Sequence, residues 1–300
     1  MTGSLADPTK DGGVEIVHCD TLDQFWNFTS PISEHFGERH RRFVFRGQRN
    51  SEWKLVPKVF RADVINKYKR GMMGALTDHP GQFVFEWSLL YTFIQYCDAM
   101  GMSIPEDSMA FREDFEMDNI SNVHGINTKL WPKKEVVPLM ALAQHHGIPT
   151  RLLDWSSNPY VACYHAAASA VLAGREFLKP DQKIAVFAFD LNDLAKVTDI
   201  KHVKVPGSTS ANLSSQSGSF ILVDNSGFRG EDFTPDVSME SKLPLHSKVL
   251  KKVTLPAPLA GELLLRCDKF GISAASVFRG GYDGVAKAVL ESTLAFHFNR

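Results

Sequence analysis

Leu139–Ala168 reads LMALAQHHGIPTRLLDWSSNPYVACYHAAA, a long apolar pattern broken in its middle by a dense set of polar side chains. Val136, Leu139, Met140 and Ala143 recur at three- and four-residue spacing and predict a helix over 135–146. Pro132 and Glu135 suit its approach and first turn, and Gly147 suits the residue just past its end. Pro149 prevents the helix from resuming and favours an extended chain, so 150–154 reads as a short extended segment. A second helix is expected to start at Ser156 or Ser157, either of which can cap it, with Pro159 in its first turn. It runs to about Leu172, ends at Gly174, and is apolar on nearly every side, which predicts burial. Arg151, Asp154, Trp155, Ser156 and Asn158 are thereby gathered between two packed helices, where unpaired polar groups are costly. They must satisfy each other or a ligand.

Outward from this stretch, Thr21 caps a short helix through Phe28, and Arg42–Phe45 is a strand that stops at Gly47. WKLVPKVFR, 53–61, continues extended around Pro57, and 82–100 is a long helix with Phe83, Trp87, Leu90, Phe93 and Ile94 on one side. Lys183–Asp190, Phe220–Val223 and Lys248–Leu255 are strands; Leu259–Phe270 and Gly284–Ser292 are helices. Residues 1–13 are polar and expected to be unordered, and the acidic 102–127 reads as an insertion or lid. Helices in the middle with strands on either side predict an α+β fold: one domain over 14–300, a mostly antiparallel sheet flanked by helices.

At 300 residues and 44% hydrophobic content the chain can bury a sizeable core. A net charge of -1 gives no global case for nucleic acid, although Arg39, Arg41, Arg42, Arg46 and Arg49 crowd one stretch. Four scattered cysteines without a CxxC pair fit reduced thiols in a cytoplasmic protein. No signal peptide opens the chain, and no apolar run reaches the ~18 residues of a membrane span. His145 and His146 point about 100° apart on a helix and no other cluster has ligand spacing, so no metal is expected.

Three stretches carry a resemblance: FVFRGQ at 43–48, WKLVPKVFR at 53–61 and ALAQHHGIPTRLLDWSSNPYVACYHAA at 141–167. Together with QSGSF at 216–220 and GISAASVFRGGYDGVAKAV at 271–289, they resemble the FRG domain family over roughly residues 20–290. Members of that family occur among bacterial defence and toxin-like proteins, which implies a toxin or anti-phage effector with a neutralising partner. The order strand-Arg-Gly, then serine turn and Ala-rich helix, is also similar to the Arg-Ser-Glu class of ADP-ribosyltransferases. That likeness implies an ADP-ribosyltransferase-like fold and NAD as substrate, with Arg46, Ser156 and Gln216 at the catalytic positions. Gly218 stands where such enzymes carry a glutamate; Glu231, Asp232, Asp283 and Glu86 are the alternative acids, Glu86 reading ordinarily as an exposed helix residue.

The residue chemistry runs beside that likeness. Arginine pairs bidentately with phosphate, so Arg46 and Arg49 suit a pyrophosphate, with Gly47 letting backbone approach a ligand and Gln48 adjoining. The bland reading of Arg46 is a strand-end arginine that pairs with Asp154 to fix the fold. Asp154 and Trp155 are pocket candidates, Trp155 offering a stacking face or simply filling core. Arg151 reads as structural; on an extended segment it and Asp154 lie on opposite faces, and a turn would be needed to bring them together as a buried pair. The helix start at Ser156 suits a phosphate or ribose through its free N–H groups, and Gln144 or a histidine is placed to donate a hydrogen bond into the pocket. Two functions follow: an NAD-using mono-ADP-ribosyltransferase-like enzyme, or a non-catalytic module binding a nucleotide or nucleic-acid end. The acceptor of a transferred ADP-ribose is not legible.

Overall fold

The computed structural model describes residues 9–11, 13–38, 41–205, 218–245, 247–278 and 281–298. Its strands are β1 (Thr9–Asp11), β2 (Val14–His18), β3 (Phe43–Gln48), β4 (Leu152–Ser156), β5 (Lys183–Asp190), β6 (Ile200–Val203), β7 (Gly218–Val223) and β8 (Leu250–Pro256). They form one open sheet in the order β1-β2-β8-β5-β3-β4-β7-β6. The sheet is mixed, which corrects the expectation of a mostly antiparallel one: β2 lies parallel to β8, while the remaining neighbours run antiparallel. The source of the error is β2. VEIVH was not read as a strand, and its partner lies more than two hundred residues downstream, beyond any local signal. Residues 9–11, inside the segment expected to be unordered, pair with β2.

The helices are α1 (Leu22–Thr29), α2 (Ala62–Tyr68), α3 (His79–Ala99), α4 (Met109–Asp114), α5 (Met117–His124), α6 (Val137–His145), α7 (Pro159–Leu172), α8 (Ala260–Lys269), α9 (Ala274–Val277) and α10 (Tyr282–Phe298). Thr21 and Gln24 form a reciprocal capping box at α1, as the Thr-x-x-Gln spacing predicts. Gly147 and Gly174 end α6 and α7 with φ of +94° and +81°, a backbone region in which glycine has no side chain to clash. The cap of α7 is Asn158, whose side chain accepts the Tyr160 amide, and neither Ser156 nor Ser157 takes that place. Pro159 lies in the first turn as expected. WKLVPKVFR turns into a 3-10 segment at Lys58–Phe60 and leads into α2, where an extended run was expected.

Alternation along β3 sorts the core. Phe43 and Phe45 join α1, α7 and α8 on one face, while Val44 joins Leu153, Trp155, Phe187 and Ile221 on the other. On the α7 side of β4 and β7, Leu152, Phe220 and Leu222 pack with Phe83, Trp87, Leu90 and Ile94 of α3. Residues 102–127 form α4 and α5 and bury Phe111, Phe115 and Ile120 in that same cluster. Close packing of strand on helix explains Gly47: a Cβ there would meet the Ala162 carbonyl oxygen at 1.9 Å and the Ala166 nitrogen at 2.7 Å. The glycine next to Arg46 therefore admits the backbone of α7. Its small neighbours, Ala162 and Ala166, serve the same approach.

Candidate functional site

The sheet opens at one place. β3 pairs with β5 along its whole length, from Phe43 opposite Asp190 to Gln48 opposite Ala185, but with β4 only where Phe45 meets Ser156. Beyond that bridge the guanidinium of Arg46 takes over: Nη1 donates to the Asp154 carbonyl at 2.7 Å. A side chain thus replaces the ladder, and the strands diverge around it. The opening is a cavity of about 380 Å³ lined by Arg46, Asp154 and Ser156 from the strands, Ala162, His165 and Ser169 from α7, and His145 from the end of α6.

Arg46 is held but not saturated. Nη1 lies 3.7 Å from Asp154 Oδ2, the side chain is one-fifth exposed, and its Nε is buried without a partner among the described residues. Burial lowers the pKa of the guanidinium and Asp154 opposes that shift, leaving a desolvated cation beside a carboxylate. The Asp154 side chain is 63% exposed, which leaves it accessible to a ligand. Gln144 Nε2 donates to Asp154 Oδ1 at 2.8 Å, and the Thr150 hydroxyl donates to Gln144 Oε1, so the amide is oriented from behind. His145 has its pKa depressed, first by burial and next by His146, with Asp154 opposing. The wall therefore combines the Arg46 guanidinium, the Asp154 carboxylate and a His145 imidazole biased toward its neutral form, with His165 beside them.

The remaining expected residues divide. Trp155 lines the opening and is also packed, 3% exposed with its ring 6.1 Å from Phe189. Ser156 is buried, and its hydroxyl accepts the Asn158 amide. Gly47 lines the cavity with backbone while facing α7. Gln48 and Arg49 lie in an adjoining chamber of about 690 Å³, which shares Arg46, Gly47 and Ser169 with the first. Gln216 lies outside the described residues; Gly218 is paired with Ser156 on β7. The arginine run is split by β3: Arg41 and Arg42 precede it and Arg49 follows it, roughly 20 Å away at a strand's rise per residue. Arg41 is paired with Glu38 and Asp190.

Arg151 pairs with Glu86 and not with Asp154. Nε and Nη2 donate to the two carboxylate oxygens at 2.8 and 2.9 Å, and both side chains are 2% exposed. Trp131 Nε1 adds a third bond to Glu86, at 3.1 Å. The exposed-face reading of Glu86 is overturned because α3 is covered on that side by 131–151, a contact distant in sequence. Glu231 accepts the Phe228 amide, Asp232 sits beside Thr77, and Asp283 is in the first turn of α10; none of these lines the opening. Two lining residues went unread, His165 and Ser169. Their signal was present: with Ala162 they form one three- and four-spaced stripe, and they are polar side chains on a helix otherwise expected to be apolar.

Among the described residues, no helix is long and apolar enough to cross a membrane. No curated protein and no solved structure matches the chain. A family model, that of the FRG domain, matches residues 41–172. The match begins just before β3 and stops at the last residue of α7, so it contains both strands of the opening, the helix beneath it and the Arg151–Glu86 pair. Residues 41–172 of this chain thus form an FRG domain, and the divergence of β3 from β4 lies inside it.

Proposed function

We propose that the opening between β3 and β4 binds NAD and that the protein is an NAD-cleaving, mono-ADP-ribosyltransferase-like enzyme. The observation that carries this reading is Arg46: a strand-end guanidinium with a buried, unpartnered Nε, facing a half-open cavity beside an accessible carboxylate. A desolvated arginine suits phosphate oxygens. Asp154 takes the part that Gly218 cannot, its negative charge stabilising the ribosyl cation as nicotinamide leaves with the electrons of the broken C–N bond. An acceptor nucleophile then bonds to the ribose carbon and gives up its proton to solvent or to a neighbouring base.

The test is nicotinamide release from NAD by the purified chain, with Arg46→Ala and Asp154→Asn alongside. Asp154→Asn is expected to keep NAD binding while lowering release on the order of 100-fold, since a charge acting only in the transition state affects turnover. Arg46→Ala is expected to lose both. A second reading, a non-catalytic nucleotide-binding module, is favoured by the engagement of Asp154 with Arg46 and Gln144. NAD binding without release by the unmodified chain would decide for it. No binding at all would remove both.

A further inference from the structure

The chamber beyond Arg46 has a different chemistry from the first. Trp53 is half-exposed on its wall, and the Arg49 guanidinium lies 4.8 Å from the Trp53 ring centre and 6.0 Å from that of Phe177. Lys54 and Arg61 add positive charge to the lining, and Glu52, Asp63 and Asp236 add negative charge. Three buried polar atoms at the strand end have no partner among the described residues: Arg46 Nε, Gln48 Oε1 and Arg49 Nε. Two of them donate and one accepts. Leaving such atoms bare is unfavourable, so a ligand here is expected to bring at least two acceptors and one donor next to a flat aromatic surface. A nucleoside phosphate has that composition: phosphate and sugar oxygens accept, an exocyclic amine or hydroxyl donates, and the base stacks.

We propose that this second chamber is a purine-nucleotide subsite, with the base stacked on Trp53 and its phosphate drawn toward Arg46 and Arg49. The assignment rests on the reading of the opening as an NAD site and adds direction to it: the nicotinamide end lies toward Asp154 and the adenosine end toward Trp53. The shared lining of Arg46, Gly47 and Ser169 makes the two chambers continuous, so one dinucleotide can span them with its pyrophosphate at Arg46.

Calorimetric titration of the purified chain with NAD, ADP and nicotinamide mononucleotide tests this. Trp53→Ala is expected to weaken NAD and ADP on the order of tenfold, as loss of one base–aromatic stack does, and to leave nicotinamide mononucleotide unchanged. Trp53→Phe should restore most of the loss. Thermal melts of both variants separate a binding effect from unfolding. If NAD binds and Trp53→Ala leaves NAD and ADP unaffected, the subsite is overturned while the NAD reading stands. If the wild-type chain binds none of the three, both fall. Binding of a short single-stranded oligonucleotide without binding of ADP also overturns the subsite.

Discussion

Gly47 and Arg46 are adjacent in the sequence and do unlike things. Gly47 is a packing residue, and Gly47→Ala drives a Cβ into the backbone of α7, where no side chain can swing aside. A loss of at least about 3 kcal/mol is expected, at the upper end of overpacking effects, read as a fall in the urea midpoint. Arg46, one residue earlier, sends its side chain across the gap between β3 and β4 to the Asp154 carbonyl. Glu86→Gln and Arg151→Met each leave a buried partner unmatched and should cost about 3–5 kcal/mol, whereas the double replacement Glu86→Leu with Arg151→Met should recover much of that. A denaturant melt of the three variants checks this; additive losses in the double variant would refute it. Residue chemistry alone offered Gly47 as a place where backbone approaches a ligand; the structure adds a packing reason for the glycine, the close backbone of α7.

At the scale of elements, α7 is the helix on which the opening rests, and its start is fixed by Asn158. Asn158→Ala removes the cap on the Tyr160 amide and should lower stability by about 1 kcal/mol. Ser157→Ala, at a position expected to cap but not used so, should change it by less; the comparison of the two melts separates the assignments. Local pattern identified the interior of every long helix and of β5, where periodicity is strong. It missed α2 and lengthened no further than Ser292 a helix that runs to Phe298, because element ends depend on caps and tertiary contacts. It put Arg151 and Asp154 on opposite faces of an extended segment unless a turn joined them; no turn does, and α3, folded back across the sheet, supplies the partner that Arg151 takes.

Across the whole molecule, acid stability should depend on His124. The ring is fully buried between Phe83 and Trp131, both nitrogens lack partners among the described residues, and its pKa is lowered to about 4. Burial is the main cause, with Lys133 and Arg151 adding to it. In the unfolded chain the imidazole takes up a proton near pH 6.5, well before it does so in the fold. The unfolded state thus binds more protons between these values, and stability falls as pH drops from about 6.5 to about 4. His18, His35, His145 and His202 are shifted in the same direction, while the raised Glu291 works against them by favouring the fold at lower pH. Urea midpoints against pH for the wild type and His124→Phe check this, the variant showing the shallower slope.

The sequence by itself determined the local story: where the interiors of α3, α6 and α7 lie, that Arg46 and Gly47 close a Phe-rich strand segment, and that α7 has Pro159 in its first turn and Gly174 past its end. Those features follow from periodicity and the backbone preferences of proline and glycine, which act between near neighbours. Only the tertiary structure decided that β2 joins β8 in parallel, that Glu86 satisfies Arg151, that Gly47 receives α7, and that β3 and β4 part to leave Arg46 facing a cavity. Each of these joins residues tens to hundreds of positions apart. Side-chain periodicity says which face of an element is buried, but not which distant element covers it.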